Sequence, residues 1–445
     1  MAKQTVLYIV HNHPSVRPGG AEAYALELYE AMRASDAFDP LLLAKAGPPM
    51  SAVPQMHGGT LLAHVDGDPN QYFFYTDNKF DWFYGVLTAK EILTTFFREF
   101  LEALRPDVVH FQHTLFLGYD MIRVVRNTLP DCAIVYTLHE YLPICHRQGQ
   151  MFRVGDNLPC TESSPLRCHA CFPQYSPQDF FLRKKLAQSH FALVDLFVAP
   201  SRFLLERYVA WGLPRAKIVY EPYGRKPMAG AAAAQGARPR NRLAFFGQIS
   251  PYKGVEVLLE AMRILADRRA AELDAGLDLA GPAGHPARPN LRIYGANLDL
   301  QEAAFQNRVR ALLEQTRRDV TLAGRYDHSQ LAALMAEVDW VVVPSIWWEN
   351  APLVIQEAFG HHRPVICSDI GGMAETVRDG VDGLHFRAGD PMSLADTIER
   401  AVMTPDLWAT LRRGIPAVYP MAQHSRVLSG IYSGILEAKT ARRSA

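Results

Sequence analysis

PSIWWENAPLVIQEAFGHHRP, residues Pro344–Pro364, follows an apolar run, Val338–Val343, that reads as a buried strand. The strand stops at Pro344-Ser345, and a loop carries Trp347, Trp348 and Glu349. Asn350 can cap a helix and Pro352 suits its first turn, which predicts a helix from about Ala351 to Phe359. Glu349 then stands at the helix mouth, and Glu357, eight positions on, lies inside the helix.

A helix N-terminus offers unpaired backbone N–H groups and the positive end of a dipole, so it suits a phosphate. That makes the turn Asn350, Ala351, Pro352, Leu353 a candidate phosphate contact. A carboxylate just outside the helix can accept hydrogen bonds from sugar hydroxyls, and one a turn or more inside can reach a ribose diol. Together these parts describe a nucleotide-sugar pocket. They also fit an ordinary strand–loop–helix with one acid favoured by the dipole and one solvated, so the rest of the chain has to decide.

The chain has 445 residues, enough for two or three domains with full cores. Apolar residues make up 49% and charged residues 21%, a globular composition. Formal net charge is zero, which argues against a nucleic-acid partner, since such proteins carry a basic excess. The apolar run before His11 is too short for a signal-peptide core, and no run reaches the roughly 18 residues of a membrane span. A cytoplasmic protein is expected, with peripheral attachment at the inner membrane face left open.

Short apolar runs alternate with helical stretches along the whole chain. Val6–Val10, Leu41–Ala44, Val108–Gln112, Ile134–Leu138, Leu196–Ala199 and Ile218–Tyr220 read as strands of one half. Leu243–Phe246, Leu291–Gly295, Val320–Gly324, the Val338 run and Val365–Cys367 read as strands of another. Such alternation implies parallel sheets with ligands at the carboxyl ends of the strands. His113, His139 and Ser201 sit at such ends. A histidine placed like His139 can hold a sugar hydroxyl or a proton, or it can be a satisfied structural residue. Gly19-Gly20 opens a helix after the first strand, where the lack of side chains lets backbone approach a ligand. Lys253, at the mouth of a later helix, can pair with a diphosphate.

These stretches resemble the retaining glycosyltransferases of family 4. ENAPLVIQE, from Glu349 to Glu357, is similar to the E-x7-E signature of that family, GGAE at Gly19–Glu22 to its G-G-x-E loop, and Thr137-Leu138-His139 to its strand-end histidine. Gly247-Gln248-Ile249-Ser250-Pro251-Tyr252-Lys253-Gly254 is similar to the G-R-x(4)-K-G motif, except that Gln248 replaces the arginine. Gln carries no charge, so either another cation compensates or phosphate binding is weaker. Gly371-Gly372 with Glu375 resembles the G-G-x-x-E loop, and Arg325-Tyr326 falls where relatives approach the base. The resemblance implies the GT-B fold: two Rossmann-like doubly wound domains, α/β with parallel sheets, facing a cleft. It also implies a hexosyltransferase (EC 2.4) that retains anomeric configuration with no cofactor or metal for catalysis. In this reading His139, Glu349 and Lys253 are catalytic, and Gly19, Gly20, Gln248, Arg325, Asn350, Ala351, Pro352, Leu353 and Glu357 bind the donor.

The domains expected are 1–225 on the acceptor side, a linker over 226–241, a nucleotide-sugar domain over 242–420, and a helix over 421–445 that returns to the first domain. Within the first domain Cys145, Cys160, Cys168 and Cys171 cluster in an irregular insertion at about 145–171. Four such cysteines can close a structural zinc site, as similar insertions in some relatives favour, or stay free thiols. Asp66-Gly67-Asp68 reads as a turn, and residues 50–85 as a loop whose aromatics pack onto the domain. Gln178–Val194, with Phe180, Phe181 and Leu182 beside Arg183, Lys184 and Lys185, reads as a core-facing helix with a solvated basic edge, or as a membrane-surface helix. The function expected is transfer of a sugar from a UDP-, GDP- or ADP-sugar to a glycan or lipid-linked acceptor in envelope or exopolysaccharide synthesis. A phosphorylase, an epimerase or a catalytically silent sugar-nucleotide binder are the alternatives.

Overall fold

A computed structural model describes residues 3–17, 19–49, 62–65, 67–76, 79–156, 158–228, 239–275 and 288–444. The chain divides into two units, Met1–Lys226 with Tyr419–Ala445, and Pro227–Val418.

The first unit begins β1 (Thr5–Val10), α1 (Gly20–Ser35), β2 (Asp39–Ala46), β3 (Leu62–Val65), β4 (Asp68–Tyr75), α2 (Arg98–Leu104), β5 (Val108–Phe111), α3 (Asp120–Thr128) and β6 (Ala133–Thr137). It continues α4 (Pro165–Cys171), α5 (Pro177–Phe191), β7 (Leu196–Ala199), α6 (Arg202–Trp211) and β8 (Ile218–Tyr220). The sheet order is β8-β7-β6-β5-β1-β2-β4-β3, parallel except for the β3–β4 pair. Val6–Val10 are fully buried, which is why the run is uninterrupted by polar residues: a central parallel strand is covered on both faces. The strand order reverses between β1 and β5, so the loops after these strands part and leave a crevice at the carboxyl edge.

Part of the expected 50–85 loop is sheet. Strand β4 pairs with β2 from Leu42↔Gln71 to Ala46↔Tyr75, and Phe74 is buried against Phe97 at 6.0 Å between rings. Gly67 makes the turn into β4 with φ +85°; Asp66 and residues 50–61 lie outside the described residues. A last helix, Met421–Ser444, buries Met421, His424, Leu428 and Tyr432 in this unit. Its entry is fixed to the segment after β8: Arg225 N–H donates to Tyr419 O (2.9 Å) and Met421 N–H to Arg225 O (2.8 Å).

The second unit runs β9 (Arg242–Gln248), α7 (Val255–Asp274), β10 (Asn290–Ala296), α8 (Ala303–Gln315), β11 (Val320–Gly324), α9 (Leu331–Glu337), β12 (Trp340–Val343), α10 (Leu353–Gly360), β13 (Val365–Ser368), α11 (Gly371–Thr376), β14 (Gly383–Phe386), α12 (Pro391–Met403) and α13 (Leu407–Gly414). The order β11-β10-β9-β12-β13-β14 is fully parallel. Alternation along the strands sends Leu243, Phe245, Trp340 and Val342 into one core with α7, α8 and α12. Ala244, Phe246, Val341 and Val343 join the other core, with α9, α10 and α11. Here the order reverses between β9 and β12. That reversal brings the loop after Gln248 beside the loop after Val343. Among the described residues no helix is long and apolar enough to cross a membrane.

Candidate active site

In the second unit the loop after β12 is held between two glycine turns. Gly254, with φ +69°, ends a short 3-10 turn, Pro251–Lys253, and a Cβ there would stand 1.8 Å from Pro344 O. On the other side a Cβ on Gly372 would stand 1.5 Å from Asn350 O, and Gly372 N–H donates to Glu349 O (2.7 Å). Only glycine permits either approach.

The loop so held buries the Glu349 carboxylate to 6% exposure. Its Oε1 accepts from Lys253 Nζ (2.5 Å), Ser345 Oγ (2.7 Å) and Trp347 Nε1 (3.0 Å). Residues 96 positions apart in sequence thus form one charged cluster, with the ammonium 5.8 Å from the Trp347 ring centre. A buried carboxylate needs such donors to stay ionised.

The helix begins later than expected. Pro352 is its N-cap, with extended ψ of 117°, and the first helical residue is Leu353. The bond from Gly372 and the close contact at Asn350 O hold residues 349–350 on the glycine turn, so the chain winds only after Pro352. Glu357 is buried on α10, its Oε1 3.2 Å from Nε2 of the largely exposed His328. Gln248, at the end of β9, and Arg325, after β11, are both exposed.

In the first unit Gly19 caps α1 in extended conformation (φ −159°), and Gly20 is its first residue. A Cβ on Gly19 would meet Glu22 Oε2 at 2.4 Å, so the glycine makes room for that side chain. Glu22 Oε1 lies 3.1 Å from His11 Nε2. Burial is the largest influence and raises the Glu22 carboxyl, but the bond and charge of His11, a backbone bond and Asn12 together outweigh it and leave it below the ordinary value. The His11 and His113 rings are 4.3 Å apart, and His113 Nε2 is 3.6 Å from Glu140 Oε1. Burial lowers His113 and raises Glu140 to about 8.

His139 has both ring nitrogens engaged. Nε2–H donates to Gln112 Oε1 (3.1 Å), which leaves Nδ1 to accept from Tyr223 Oη (2.5 Å). With its nitrogens turned to these neutral partners, desolvation lowers it to about 3. His139 is therefore a neutral imidazole at physiological pH, able to position but not to donate a proton.

Among the described residues no group of three or more His, Cys, Asp or Glu is placed to hold a metal ion. Cys145, Cys160, Cys168 and Cys171 form no disulfide, and Cys160 Sγ donates to Glu162 O at 3.2 Å. The Arg183 guanidinium donates to Phe83 O (2.7 Å) and, just before this segment, to Pro143 O (2.8 Å) and Leu142 O (2.5 Å). Arg183 is thus buried and not part of a solvated edge. The residues that sequence reasoning missed, His11, Tyr24, Tyr223 and His424, lie on separate elements with no shared spacing.

Comparison with known proteins agrees with this geometry. Residues 18–224 match the model of Glycosyltransferase Family 4, and residues 240–403 the model of Glycosyl transferases group 1. The chain belongs to this glycosyltransferase family, with a GT-B fold. It is 24% identical over 426 residues to the D-inositol 3-phosphate glycosyltransferase of Jonesia denitrificans, covering 93% of this chain and 91% of that one. It is 30% identical over 187 residues to that of Corynebacterium glutamicum, covering 42% and 40%. It is 28% identical over 205 residues to the alpha-D-kanosaminyltransferase of Streptomyces kanamyceticus, covering 45% and 47%. In these last two the matched region is less than half of the relative's length. Among solved structures, sucrose-phosphate synthase from Thermosynechococcus elongatus superposes with a TM-score of 0.66 at 19% identity, over 98% of this chain and 100% of that one. Anabaena HepE in complex with UDP does so with 0.64 at 16%, over 97% and 100%.

Proposed function

We propose that the protein is a retaining glycosyltransferase that moves a sugar from a nucleotide-sugar donor to a glycan or lipid-linked acceptor in envelope or exopolysaccharide synthesis. The observation that carries this is the buried Glu349 carboxylate held by Lys253 at the switch point of the second sheet, with Glu357 one helix face further on. UDP complexes of the structural neighbour HepE support a nucleotide-sugar donor.

Lys253 and the first-turn N–H groups of α10 stabilise the departing diphosphate, the main electrostatic contribution. Glu349 orients the transferred sugar and Glu357 holds the ribose. His139 contacts the sugar as a neutral, fixed ring. The acceptor hydroxyl attacks on the leaving-group side, and a donor phosphate oxygen takes its proton. Exposed Phe181 and Leu182 on α5, beside Lys184 and Lys185, offer a face for peripheral contact with an anionic membrane.

The test is a panel of UDP-, GDP- and ADP-sugars screened by saturation-transfer NMR, with Glu357→Ala as control and Glu349→Ala assayed for turnover. One donor should bind, lose binding in the first variant and lose turnover in the second. Full turnover by Glu349→Ala sinks the assignment. Gln248 in place of the family arginine favours a second reading, donor binding without turnover, which the same panel detects.

A further inference from the structure

The last helix brings a histidine into the neighbourhood of His139 without touching it. His424 is fully buried, and its Nδ1–H donates to Glu221 Oε1 (2.8 Å). In the tautomer that donates Nδ1–H to Glu221, Nε2 accepts from Tyr24 Oη at 2.6 Å. Glu221 follows β8 directly and also takes the hydroxyl of Tyr419 (2.8 Å). Carboxylate, imidazole and phenol form one directed chain, Glu221–His424–Tyr24, wholly inside the first unit.

Tyr24 is the end of that chain that meets His139. Its ring stands edge-on to the His139 ring, 5.4 Å between centres at 66°, and 4.6 Å from the ring of Tyr223. Tyr223, beside Tyr24, also contacts His139, stacked at 20° and bonded to Nδ1. The two tyrosines therefore wall the imidazole. A phenol ring held only by packing can rock; one whose hydroxyl is tied to a carboxylate-anchored imidazole cannot.

We propose that Glu221 and His424 are positioning residues for His139, acting through Tyr24. The last helix is then part of the apparatus that fixes the strand-end histidine, as well as a cover for the core. The proposal rests on the reading of His139 given under Proposed function. It differs from a purely structural role, in which Glu221–His424 merely fastens the helix.

Two substitutions separate these roles. His424→Asn keeps an amide nitrogen where Nδ1 donates to Glu221 but withdraws the imidazole from Tyr24, whose hydroxyl is left to Thr137. Tyr24→Phe keeps the ring and removes the hydroxyl. The direct readout is the ring ¹⁵N spectrum of His139 in the full chain, with melting temperature and UDP affinity as controls. In both variants the His139 nitrogens should move from the single Nε2–H tautomer toward a mixture, while the other two quantities hold. With the sugar nucleotide found by the donor panel, kcat should fall about tenfold with little change in KM. A His139 spectrum and kcat as in the unaltered protein overturn the proposal, as does a shift in Tm without a shift at His139. If the unaltered protein transfers no sugar, the transferase reading fails, and the ¹⁵N spectra still decide whether His424 positions His139.

Discussion

Replacing Lys253 by Met tests the charged cluster directly. The change keeps the apolar stem but removes the ammonium from Glu349, which the fold buries. Removing one partner of a buried ion pair costs about 3–5 kcal/mol, and a hydrogen bond to a charged group about 1.5–3 kcal/mol. Two features reduce the figure. The Lys253 side chain is 31% exposed against 8% for Glu349, and Ser345 and Trp347 still donate to the carboxylate. We therefore expect a loss of about 2 kcal/mol, which in a domain of this size lowers melting by roughly 4–8 °C. Calorimetry of Lys253→Met, Glu349→Gln and the double variant measures both the loss and the coupling. Because Glu349→Gln removes the orphaned charge, the double variant should lose at least ~1 kcal/mol less than the sum of the singles. A Lys253→Met transition within a degree of the unaltered protein, or strict additivity, refutes the reasoning.

Gly372→Ala puts a methyl group 1.5 Å from Asn350 O, so the loop carrying Glu349 must move. Donor binding should be lost and stability reduced by more than ~2 kcal/mol, whereas Gly380→Ala, at φ +71° with nothing within 4 Å, should cost only the ~1 kcal/mol of a left-handed alanine. Acid should destabilise the first unit through His139. Its folded value, about 3, lies below its unfolded value near 6.5, so the folded protein binds fewer protons between these limits and stability falls as pH drops through them. With the ring partly exposed we expect about 1 kcal/mol between pH 7 and 5; urea midpoints of His139→Gln at both pH values should show a shallower slope, and an equal slope would exclude this origin. Phe181→Ser with Leu182→Ser should abolish sedimentation with phosphatidylglycerol vesicles at low salt and leave melting unchanged; equal sedimentation of both proteins removes this face from consideration.

Elements that are apolar along their length were legible in the sequence. Val6–Val10 and Leu196–Ala199 are strands where the runs say so, because interior parallel strands allow few polar residues. Strands with a broken apolar run were not. Strand β4 exposes or half-exposes Asp68, Pro69, Asn70 and Tyr72, and β14 is four residues between turns, so neither carries a continuous apolar signal. The start of α10 falls at Leu353, two residues later than expected, after a loop held by a tertiary bond from Gly372 that no local pattern announces. Glu349, Lys253 and His139 were found from local motifs. Their partners were not, since strand order and the return of the last helix bring Lys253 to Glu349 and His424 to Tyr24.

The last helix also sets an order of events in synthesis. The first unit is discontinuous along the chain: its core needs Leu428 and Tyr432, which follow the whole second unit. Domains emerge from the ribosome N-terminal end first. Here the N-terminal sheet must wait, with the seat of that helix uncovered, while Pro227–Val418 is made and can fold ahead of it. Nascent chains stalled before Met421 should bind chaperones through the exposed face of α1, and release should coincide with the arrival of Tyr432.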